Sequence, residues 1–97
     1  MKIPKKVKIG AHTYAIEFRD DLDDENMGVC RPAKLKIFID GSLPQSQQEE
    51  TFIHECLHAI VNLLGLYTHS QYDEEERVVQ SVAHSLYQVL KENNLLR

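Results

Sequence analysis

Residues 51–65, TFIHECLHAIVNLLG, constrain this chain more than any other stretch, because they read as a helix that is apolar almost all the way round. At about 100° per residue, Phe52, Ile53, Cys56, Leu57, Ala59, Ile60, Val61, Leu63 and Leu64 sweep most of the circumference. The arc left over, about 100° wide, holds Thr51, His54, Glu55, His58 and Asn62. Such a helix is expected to pack into the core, with this polar arc facing away from it. Solvent faces are ordinarily built from Lys, Glu, Arg and Gln, whereas here two imidazoles stand one turn apart. From the chain's own composition, H-E-x-x-H arises by chance in roughly 2% of such sequences, so coincidence is a poor explanation.

The spacing has a chemical reason. Residues at i and i+4 share one helical face, so His54 and His58 can present ring nitrogens to a single ion, and imidazole at 2.0–2.1 Å suits zinc. Glu55 is offset by about 100° from His54, too far round to complete the coordination but placed to act as a base on water at the metal. A catalytic zinc takes three protein ligands and keeps one open position, so a third ligand must come from elsewhere. The run Asp73-Glu74-Glu75-Glu76 opens a second helical pattern whose apolar face is Val78, Val79, Val82, Ala83, Leu86, Val89 and Leu90. Glu75 and Glu76 both fall on or beside that face. Glu76 is favoured because Gln80, four residues on, can hydrogen-bond a ligand histidine, and Glu75 is the alternate.

The surrounding chain is one domain of α+β class. Its 97 residues allow a single small core, and 42% hydrophobic with 27% charged residues is ordinary for a globular protein. Val7 to Ile9 and Tyr14 to Phe18 alternate as half-buried strands about a turn at Gly10. The acidic stretch Asp20–Asn26 reads as a solvated loop. Met27–Cys30 and Leu35–Asp40 form a second hairpin about Arg31-Pro32-Ala33-Lys34. The expectation is a small, antiparallel-rich, twisted sheet of three to four strands over about 5–40, followed by long helices over about 44–64 and 71–93 that cover one face. Ser42 or Ser46 is expected to cap the first helix, Gly65 to end it, and Ser70 with Asp73 to form a capping box for the second.

Composition also excludes function classes. The net charge is −4 and the lysines cluster only in the first eight residues, so no nucleic-acid footprint is present. No apolar run reaches bilayer length, and MKIPKKVKI alternates charge with apolar residues unlike a signal peptide, so no membrane partner and a cytoplasmic location are expected. Cys30 and Cys56 read as free, buried thiols, and His12 and His84 as exposed. Oligomeric state is not readable from these patterns.

HECLH, eighteen residues to Glu76, and then ERVVQSVA over 76–83 together resemble the small gluzincin metallopeptidases. The chain is similar to their minimal single-domain members and to short H-E-x-x-H proteins of phage and prophage origin related to ImmA/IrrE. The resemblance implies a zincin-like fold in which strands precede the histidine helix and the next helix carries the glutamate. It implies a zinc-dependent peptidase acting on a peptide or protein, with His54, His58 and Glu76 as zinc ligands and Glu55 as catalytic base. It further implies that Leu35–Asp40 is an edge strand beside the cleft, where an extended peptide can add. Larger relatives supply an oxyanion stabiliser from a downstream subdomain. Tyr67, His69 and Tyr72 lie near the corresponding place here and read as surface-loop residues. The alternative function is a zinc-stabilised or catalytically weak regulatory or protein-binding module of phage type.

Overall fold

The computed structural model describes residues 1–23 and 26–96. Asp24 and Glu25 of the expected acidic loop lie outside the described residues. Four strands, β1 (Lys6–Ile9), β2 (His12–Arg19), β3 (Gly28–Arg31) and β4 (Lys36–Asp40), precede two helices, α1 (Gln45–Leu64) and α2 (Tyr72–Glu92). The α+β class and both long helices are as expected. No helix among the described residues is long and apolar enough to cross a membrane.

The sheet is mixed, in the order β1-β2-β4-β3. Two hairpins supply its antiparallel pairs, β1 with β2 and β3 with β4, while β4 runs parallel to β2 with Ile16 beside Ile37 and Phe18 beside Ile39. This corrects the expected edge: Leu35–Asp40 contributes an interior strand, and β3 is the edge strand beside it, with β1 at the opposite edge. Alternation in KIFID explains the placement, since Ile37 and Ile39 both point to the helix side and are fully buried there. Leu35, at a left-handed φ of 54°, closes the turn over Pro32–Lys34 and also accepts a bond from Ala15 N–H, tying that turn to β2.

Ile9, Tyr14, Ile16, Ile37 and Ile39 meet Phe52 and Ala59 of α1 to make the core. Among the described residues α1 is the helix packed on the sheet. Contrary to the expected two-helix cover, α2 packs against α1, with Val79, Ala83 and Tyr87 as its buried residues. The Tyr87 hydroxyl donates to buried Glu49 at 2.8 Å and fixes the end of α2 to the start of α1.

The helix ends differ in detail from expectation. Neither serine caps α1: Ser42 turns back to Asp40, its hydroxyl 2.7 Å from Oδ1, and the Gln48 amide instead holds the carbonyls of Gly41 and Leu43. Gly65 ends α1 at φ 63°, as its freedom of backbone predicts. The capping box before α2 is Thr68 with Gln71, two residues earlier than Ser70 with Asp73, and belongs to a 3₁₀ turn over His69–Gln71.

Candidate metal centre

Most of the polar arc of α1 is screened from solvent, with His54 half-buried and Asn62 alone of the five exposed. Thr51, Glu55 and His58 are buried, whereas Ile60, Leu63 and Leu64 from the apolar sweep are exposed. Phe52 and Ala59 of the apolar sweep still face the core, and the arc is screened because α2 and β3 flank it, forming a cleft of about 1010 Å³ lined by residues of α1, α2, β3 and the connection between the helices.

Within the cleft three side chains converge. His54 Nε2 lies 2.8 Å from Glu76 Oε1, His58 Nε2 lies 2.8 Å from Glu76 Oε2, and the two Nε2 atoms are 3.2 Å apart. Together they form a group with the donor types and separations to hold one metal ion. The tetrahedral edge around an ion with arms of 2.0–2.1 Å is about 3.3 Å, so the three atoms need to move little to share one. The antiparallel run of α2 against α1 produces this convergence, bringing Glu76 level with the two histidines.

Glu75 has a different place from Glu76. Its Oε2 is 2.6 Å from His58 Nδ1, on the far side of the ring from Glu76. A proton on Nδ1 donated to Glu75 leaves the Nε2 lone pair directed at the convergence point, the tautomer a metal requires. The supporting hydrogen bond expected from Gln80 is therefore made by Glu75, while Gln80 lines the cleft wall. Sequence reasoning chose between the two glutamates as ligands and missed that both serve one histidine.

Electrostatics favour a cation. Burial pushes the His54 imidazole towards its neutral form, against the pull of the Glu76 carboxylate. Burial also pushes Glu55 up to about 7, with Glu76 adding to the shift and His58 opposing it. Three carboxylates, Glu55, Glu75 and Glu76, thus crowd two imidazoles, a charge balance that one divalent ion relieves. Glu55 Oε2 sits 4.0 Å from His54 Nε2, beside the group and not in it.

Gly28 positions Glu55 from β3. A Cβ there would stand 2.6 Å from Thr51 Cγ2 and 3.1 Å from Glu55 Cγ, so only glycine lets the edge strand come this close. Tyr67, His69 and Tyr72 all line the cleft. Tyr72 stacks its ring parallel to His58 at 6.2 Å and donates its hydroxyl to Glu76 Oε2 at 3.3 Å. Cys30 and Cys56 are free and half-buried, and burial pushes both thiols up to about 12, away from the thiolate form. His12 and His84 are exposed, the latter 3.0 Å from Glu50. Comparison with protein-family models, with curated proteins and with solved structures finds no match to this chain.

Proposed function

We propose that the protein is a zinc-dependent metallopeptidase of gluzincin type. The observation that carries this reading is the convergence of His54, His58 and Glu76 with buried Glu55 alongside, 4.0 Å from His54 Nε2. His54, His58 and Glu76 would hold the zinc, and a cysteine-free set of two imidazoles and one carboxylate matches that of catalytic rather than closed structural sites. Bound there, zinc supplies Lewis acidity that polarises a peptide carbonyl and lowers the pKa of water.

The chain's own residues provide the remaining chemistry. Glu55, buried beside the group, would take a proton from the attacking water and return it to the leaving amine. Glu75 orients His58 through Nδ1. Burial and the nearby Glu76 push the Tyr72 phenol up, so it stays protonated and can donate to the developing oxyanion. The open edge of β3 lines the cleft, so an extended peptide adding to it as a strand passes Glu55 at Gly28.

Zinc-loaded protein incubated with an unbiased peptide library tests the proposal. Cleavage is expected from the wild type and none from Glu55→Gln with its zinc retained. Equal cleavage by that variant, or none by the zinc-loaded wild type, would overturn it.

A further inference from the structure

Four carboxylates line the cleft, those of Glu50, Glu55, Glu75 and Glu76. Three are accounted for: Glu75 and Glu76 engage the histidine rings, and Glu55 lies 4.0 Å from His54 Nε2. Glu50 is the fourth, and the metal group makes no use of it. Its side chain is 32% exposed, and its Oε1 lies 3.0 Å from Nδ1 of His84, whose own side chain is 74% exposed. Among the described residues the lysine and arginine ion pairs lie elsewhere, Arg19 with Asp21 and Lys36 with Glu17. A half-buried carboxylate on a cleft wall with no fixed cation beside it can receive one from a ligand.

Its position follows from the two helices. Glu50, His54 and His58 succeed one another at i, i+4 and i+8 on α1, and Glu76, Gln80 and His84 do the same on α2. The helices run antiparallel, so Glu76 meets the two histidines while His84 meets Glu50, one turn nearer the start of α1. That turn is about 6 Å along the axis. Thr51, the next residue, presents its methyl to Gly28 of β3. One turn of α1 therefore touches the edge strand on one side and carries Glu50 on the α2 side of the cleft.

An extended peptide that adds to β3 continues the sheet, so its alternate side chains turn towards α1. Side chains on one face of a strand recur about every 6.7 Å, close to the helical turn between His54 and Glu50. With the scissile bond at the metal group, the side chain of the second residue along arrives at Glu50. Taking the metallopeptidase reading as its basis, we propose that Glu50 selects peptides carrying lysine or arginine at the second residue from the scissile bond, on the side that runs towards the start of α1. The aliphatic stem of such a residue crosses the cleft and its cationic head meets the carboxylate.

Peptides blocked at both termini, with lysine or its uncharged analogue norleucine stepped through the positions on either side of the bond, test this. Wild-type kcat/KM is expected to favour lysine by about five- to tenfold at the second residue on one side, and nowhere else. In Glu50→Gln that ratio should fall to about one, and in Glu50→Lys below one, with zinc uptake and helical circular dichroism retained. The same peptides titrated by fluorescence anisotropy onto zinc-loaded Glu55→Gln, with and without Glu50→Gln, give the ratio without turnover. Peptides that bind with a Glu50-dependent lysine preference but are never cut by the wild type would refute the peptidase reading and leave the role of Glu50 standing. Cleavage or binding without a lysine preference at that residue, a preference that survives Glu50→Gln, or binding of none of the peptides overturns the proposal.

Discussion

Removing the charge of Glu55 should stabilise the metal-free protein at neutral pH, in a pH-dependent way set chiefly by burial. The residue is 5% exposed, and its carboxyl is raised from 4.5 to about 7 in the fold, chiefly by that burial. A carboxyl whose folded pKa lies above its unfolded value binds its proton more tightly when folded. Its contribution is therefore present in full below about 4.5 and is lost as pH rises through about 7. Integrated from pH 5 to pH 8, the loss is about 2.5 kcal/mol for a shift of this size. Glu55→Gln abolishes the titration, so its stability relative to wild type should rise by about 2.5 kcal/mol over that interval. In urea unfolding of chelator-treated protein, this is a relative gain of about 2 M in midpoint for a domain of this size. A difference between the two proteins that stays constant within about 0.5 kcal/mol from pH 5 to pH 8 would refute the reasoning. The same buried carboxylate that costs stability in the metal-free fold is what would equip Glu55 as a base in the proposed reaction.

Gly28→Ala should destabilise by about 1–3 kcal/mol in thermal or urea unfolding, and adding Thr51→Ser, which deletes the methyl the new Cβ meets, should recover part of it. Glu75→Ala should weaken zinc binding by about 10- to 100-fold in a competition titration without changing its one-to-one stoichiometry. Tyr72→Phe should lower kcat by about 10- to 100-fold and, since its hydroxyl donates to Glu76 at 3.3 Å, weaken zinc binding by less than that factor.

The parts of this molecule legible in the sequence are those set by local period. Both long helices and the strand segments follow from alternation and amphipathic spacing, and Gly65 marks its helix end through the one backbone conformation it adopts easily. The i, i+4 histidines and a glutamate at the start of the next helix were equally visible. What stayed hidden depends on neighbours distant in sequence. The insertion of β4 beside β2 is a parallel pairing that no hairpin signal announces. The polar arc of α1 carries no mark that another helix and an edge strand will bury it. Glu75 and Glu76 are adjacent in sequence, and only the packing of α2 on α1 sends them to opposite nitrogens of His58. Gly28 carried a signal that sequence reasoning could have used, since a glycine inside a short strand pattern indicates a close approach of another element.

The central claim is that His54, His58 and Glu76 hold one zinc ion and leave a position open. X-ray absorption at the zinc edge, on protein loaded with one equivalent, tests it most directly. The expected spectrum shows two imidazoles and oxygen donors at about 2.0–2.1 Å and no sulfur, with the imidazole signature reduced to that of a single ring in His58→Ala. Failure to take up stoichiometric zinc, or a sulfur shell at about 2.3 Å from Cys30 or Cys56, would contradict it.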